Sequence, residues 1–181
     1  MGSDIALIIV ILARILVPFL ILKWPLKGAI LAIIADAADV MVIEAFGSGL
    51  LGGFSYHHMD KIFDIWYLFF EFIVVMTWTD VFARRIGATL FTWRFAGFLA
   101  FMLTAWRPSF FVAPNIFEFF FLACLIIWKF DKKFKFTWKS SAIVLLIVGI
   151  PNIIKEYVMH FKFQDQTWDW FRDHVFWWMY N

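Results

Sequence analysis

The chain has 181 residues, 64% of them hydrophobic and 17% charged, and a formal charge of +2. A soluble domain averages about 45–50% and about 25%, and one this short buries only about two-thirds of its unfolded surface, so the surplus apolar surface must face lipid. A soluble enzyme, a nucleic-acid module and a disordered tail are excluded, and the single cysteine, Cys124, leaves no intrachain disulfide or cysteine-based metal site.

A helix needs about 20 mostly apolar residues to cross the hydrocarbon layer. Six stretches qualify, at about 4–22, 26–50, 61–78, 86–106, 109–128 and 140–157. The first has no basic region before it and is interrupted by Arg14, so it reads as a permanent span and not a cleaved signal. Gly2 follows Met1, but Ala6 breaks the myristoylation pattern. Lys23-Trp24-Pro25 separates the first two spans, and Gly47-Ser48-Gly49 with Gly52-Gly53 follows the second. Arg84-Arg85 and Arg107-Pro108 mark two more ends, and five lysines between Lys129 and Lys139 keep that segment out of lipid. Pro114-Asn115 precedes Glu118 in the fifth span and Pro151-Asn152 precedes Lys155-Glu156 in the sixth, an echo that predicts two kinked helices with asparagines satisfying freed backbone groups. The expected fold is an all-α polytopic membrane bundle over residues 1–159. An aromatic-rich interfacial tail follows over 160–181, where Trp168, Trp170, Trp177 and Trp178 alternate with charges.

Basic residues set the expected orientation. Nine lie in loops 1–2, 3–4 and 5–6: Lys23, Lys27, Arg84, Arg85, Lys129, Lys132, Lys133, Lys135 and Lys139. Five lie on the opposite side: Lys61, Arg107, Lys155, Lys162 and Arg172. The positive-inside rule places the first set in the cytoplasm, with both termini and the 2–3 loop outside.

Ionisable residues inside spans cost about 2.5–3.5 kcal/mol each on insertion scales and mark functional sites. The second span carries Asp36, Asp39 and Glu44, and the third Asp60, Asp64 and Glu71. Arg14, Arg94 and Glu118 lie in the first, fourth and fifth. Asp36 and Asp39 are one turn apart. At about 100° per residue, Asp60, Asp64, Tyr67 and Glu71 fall within roughly 60° of one another. The third span therefore has one wet seam, and the second offers small residues, among them Ala29, Ala32 and Ala35, for close approach to it. Two carboxylate pairs facing each other need protons, arginines or metal ions to neutralise them. Oxygen-rich sites suit hard divalent cations, magnesium above all. His57 and His58 could add ligands or a proton relay, and Lys61, Tyr67, Glu71, Arg94 and Glu118 join Arg14 as substrate or charge partners. A structural alternative is an internal salt-bridge network in which Arg14 and Arg94 pin the bundle.

The pattern Asp36-x-x-Asp39, a loop, then Asp60-x-x-x-Asp64 resembles the four-aspartate signature of the CDP-alcohol phosphotransferases. Arg14-x-x-x-Pro18-Phe19, upstream of the first aspartate, also resembles that family, and the likeness covers roughly residues 10–70. It is distant: Val40 and Tyr56 stand where the family has glycines, and its Ala-Arg pair is missing between Asp39 and Asp60. The resemblance implies a six-helix membrane enzyme in which Asp36, Asp39, Asp60 and Asp64 bind a divalent metal. Asp64 would also be the base that deprotonates an alcohol.

Three functions follow as expectations. The first is a divalent-metal-dependent phospho-group or lipid-headgroup transferase acting on a lipid or a phosphorylated small molecule. The second is a cation- or proton-conducting or coupled transporter. The third is a non-catalytic membrane subunit or scaffold. Membrane lipids are the expected partners, nucleic acid is not, and homo-oligomerisation is left open.

Overall fold

The computed structural model describes residues 2–46, 56–106 and 108–157, with side chains over 8–38, 59–106 and 108–157. All regular structure among them is helical: α1 Gly2–Leu16, α2 Phe19–Lys23, α3 Pro25–Phe46, α4 Tyr56–Met76, α5 Val81–Thr104, α6 Ser109–Val112, α7 Ile116–Phe130 and α8 Trp138–Tyr157. The tail over 158–181 and the glycine-rich 2–3 loop over 47–55 lie outside the described residues.

Among the described residues, three helices are long and apolar enough to cross a membrane: Val81–Thr104, Ser109–Phe130 with α6 and α7 taken as one span, and Trp138–Tyr157. Their outward residues fit that reading. On α8, Ile143, Leu146, Ile147, Ile150 and Ile154 are all exposed, a surface that water would not tolerate and lipid would. Helices α3 and α4 have comparable length, 22 and 21 residues, but each carries several charges.

Prolines divide two of the expected spans. Pro18 has no N–H to give to the carbonyl of Arg14, so α1 ends at Leu16 and α2 restarts at Phe19. Pro114 likewise separates α6 from α7, a break where the sequence predicts a kink. Pro151 stays within a continuous α8. Pro25 opens α3 at the first helical position, where a missing N–H costs nothing.

Helix α4 is the hub, packing against α1, α2, α3, α5 and α7. Its Leu68 and Val75 are fully buried among Ile21, Ala29, Phe117, Phe120 and Phe121. Two glycines permit the closest approaches. A Cβ on Gly28 would stand 2.4 Å from the Ile21 backbone nitrogen, and one on Gly97 would stand 2.5 Å from the Ala113 Cβ. The start of α5 is fixed by Asp80, which caps the Phe82 and Ala83 amides at 3.0 Å and accepts from the Phe136 amide at 2.8 Å. One carboxylate thus joins the head of α5 to the connection between α7 and α8.

Candidate functional site

The polar interior begins with Arg14 near the end of α1. Its guanidinium is almost fully buried and has five N–H donors that cannot lose their charge. It donates to Asp60 Oδ1 at 2.9 Å and to Asp64 Oδ1 at 2.9 Å, and it also pairs with Asp36 Oδ1. Its cation lies 5.2 Å from the centre of the Phe63 ring. Lys61 adds a second cation, 2.7 Å from both Asp60 Oδ2 and Asp64 Oδ2.

Asp36, Asp60 and Asp64 therefore converge. Each offers an oxygen, and all three oxygens lie within 4.8 Å of one another. Helical periodicity explains this: Asp60 and Asp64 are one turn apart on α4, and α3 brings Asp36 to the same height. The three side chains are only partly covered, Asp36 most open at 36% exposed, so the cluster is not sealed within the helices on that side. Among the described groups, three carboxylates face two cations, which leaves one net negative charge. All-oxygen donors fit a hard divalent ion, and Arg14 and Lys61 now occupy the same oxygens.

The other expected residues divide by position. Asp39 lies on α3, and His57 and His58 on the first turn of α4, but their side chains are outside the described residues, as is that of Glu44. Tyr67 and Glu71 continue the α4 stripe inward and are buried. Of the two arginines expected near carboxylates, Arg14 makes the direct ion pairs, while Arg94 donates to the Ala113 carbonyl at 2.9 Å, which the break before Pro114 leaves free of a helix, and lies within electrostatic reach of Glu118. The Arg94 charge also lies 4.7 Å from the centre of the Phe110 ring, with Lys61 5.7 Å from the same ring. Glu118 meets Asn115 Nδ2 at 2.7 Å and the Tyr67 hydroxyl.

Phe110 and Asn115 belong to this interior, Phe110 beside two cations and Asn115 as a donor to Glu118. No pattern points to Phe110, whose neighbour cations come from α4 and α5. The Pro-Asn echo does point to Asn115 and Asn152. Asn152 Nδ2 donates to the Asn115 carbonyl at 3.1 Å, so the two echo segments pack against each other and satisfy a freed carbonyl.

Beside the cluster, an entirely apolar groove of about 540 Å³ is lined by residues that include Ile15, Phe63, Trp66, Phe91 and Phe95. Trp66 closes one wall by donating its indole N–H to the Ile15 carbonyl at 3.1 Å. No family model, curated protein or solved structure matches the chain.

Proposed function

We propose that the chain is a six-span membrane enzyme that transfers a phospho-group or a lipid headgroup, with its site at the Asp36–Asp60–Asp64 cluster. The observation that carries this reading is the meeting of three carboxylate oxygens within 4.8 Å, from two helices, next to two cations. The distant resemblance to the CDP-alcohol phosphotransferases supports it. Asp36, Asp60 and Asp64, with Asp39, would hold a divalent cation, magnesium first. When bound, the ion would neutralise phosphate charge and polarise the phosphoryl group.

The chain's own residues have separable roles in this reading. Arg14 and Lys61 are the cations at hand for phosphate oxygens, and exchanging carboxylate for phosphate partners costs them no charge pairing. The resemblance makes Asp64 the base, and Arg14 and Lys61, which now stabilise its ionised form, must turn to phosphate before it accepts a proton. The groove along Ile15, Phe63 and Trp66 suits a hydrocarbon tail lying beside the polar head. In the proposed topology, loops 1–2, 3–4 and 5–6 are cytoplasmic, the termini and 2–3 loop are outside, and 160–181 lies at the interface.

The transporter reading draws on a different observation, the line of buried titratable groups that continues inward along α4 through Tyr67 and Glu71. One experiment separates the two. The full chain is melted in detergent with and without magnesium, for wild type, Asp36→Asn and Asp64→Asn, and the same proteins are assayed for headgroup transfer and for proton flux in liposomes. At about 100 times its dissociation constant, a bound ion stabilises by roughly 2.7 kcal/mol, a visible melting shift. The enzyme reading expects the shift in wild type and Asp64→Asn, its loss in Asp36→Asn, and transfer in wild type alone. Absence of any magnesium shift in wild type removes the metal site. Flux without transfer, altered by both substitutions, replaces the enzyme by the transporter.

A further inference from the structure

Glu71 lies in the C-terminal half of α4, fully buried, and neither of its carboxyl oxygens has a hydrogen-bond partner among the described residues. The charged group that faces it is a second carboxyl, Glu118 of α7. The two are treated very differently. Glu118 accepts from Asn115 Nδ2 at 2.7 Å, is hydrogen-bonded to the Tyr67 hydroxyl, and lies within electrostatic reach of two cations, Lys155 on α8 and Arg94 on α5, and of one carboxylate, Asp64 on α4. Tyr67, one turn before Glu71, also feels Asp36 and Asp64. Lys155 is shared with Glu156, 3.8 Å away. Asn115 and Tyr67 thus give their hydrogen bonds to Glu118, and neither gives one to Glu71.

Two carboxylates cannot both stay ionised in such a place. Each uncompensated charge costs several kcal/mol to desolvate, and the two repel. One proton between them removes the second charge, and it belongs on the member that no donor reaches. We infer that Glu71 and Glu118 form a buried proton-binding site, separate from the aspartate cluster, in which Glu71 carries the proton at neutral pH and Glu118 carries the charge. The site stands whether or not the aspartate cluster is catalytic.

Infrared spectroscopy of the detergent-solubilised full chain tests this. The carbonyl stretch of a protonated carboxyl is separate from the carboxylate bands and moves on deuteration. Wild type at neutral pH is expected to have that band, Glu71→Gln to lose it, and Glu118→Gln and Glu156→Gln to keep it. No band in wild type overturns the site. So does a band that survives in Glu71→Gln, or one that vanishes in Glu118→Gln or Glu156→Gln. Should Glu71→Gln fail to fold, isotope-labelled glutamate in wild type decides: the band must move with the label, and a band that moves only with labelled aspartate ends the proposal.

Discussion

Where α4 carries Asp60 and Asp64, it meets a guanidinium from α1 and its own Lys61. At Glu71, seven residues beyond Asp64, the same stripe meets another carboxyl and no donor among the described residues. The first region is partly open and charge-paired, and both its cations touch two or more carboxylates. The second is dry, and its donors reach only one of two acids. The difference teaches that periodicity alone places polar groups on a face, while the neighbours of that face decide whether the groups are charged, shared or neutral. A site that exchanges partners with a charged ligand belongs in the first kind of setting. The second kind suits a proton, the one ligand that needs no room.

The largest expected effect comes from removing the cation that organises the open region. Arg14→Leu leaves Asp36, Asp60 and Asp64 within 4.8 Å of one another, with Lys61 still paired to Asp60 and Asp64. Breaking a buried ion pair from one side costs about 3–5 kcal/mol. The folded fraction by size-exclusion and the melting temperature in detergent should both fall sharply. A variant that melts with wild type would mean that the arginine is dispensable and that the cluster is neutralised in another way.

Glu118→Leu should cost less, about 1–3 kcal/mol, because it strands the neutral donors of Asn115 and Tyr67, while Arg94 keeps the Ala113 carbonyl and the Phe110 ring and Lys155 keeps Glu156. Melting of the variant against wild type measures this. A loss as large as that of Arg14→Leu would erase the distinction between the two regions.

Much of the open region is legible in the sequence. Spacings of four on α4 and the length of the helices bring Asp36 to Asp60 and Asp64, and an intramembrane arginine predicts a carboxylate partner. The all-helical fold follows from composition. The dry region is less legible, because its bonds depend on where α7 begins. Pro114 divides the expected fifth span, and that break frees the Ala113 carbonyl for Arg94 and directs Asn115 to Glu118. A hydropathy pattern reads the same run as one continuous helix. Phe110 is illegible for a similar reason: its ring lies near Lys61 and Arg94 only through packing of α6 against its neighbours.

Glu71→Leu sharpens the comparison by its small effect. An unpartnered buried acid contributes no bond that its removal would break, and an apolar side chain of similar size suits the same space. Its melting temperature should match or exceed that of wild type, within about 1 kcal/mol of destabilisation at most. A larger loss would mean that Glu71 has a stabilising bond and that the two regions are paired alike.

Lys61→Met should have the smallest effect on stability, under about 1 kcal/mol, since the lysine is partly exposed and Arg14 still engages both of its carboxylates. Its value lies in the response to magnesium. Lys61 holds Asp60 Oδ2 and Asp64 Oδ2, oxygens that an ion would also use, and its loss raises the net negative charge of the described cluster from one to two. The magnesium-dependent melting shift should therefore grow in Lys61→Met and appear at lower ion concentration. Raising the ionic strength with a monovalent salt should diminish that gain, because the cluster is partly open on the Asp36 side and screening reaches it. A shift that shrinks on losing Lys61 would mean that the lysine supports the ion and does not compete with it, and the open region would then be a site assembled around both its cations.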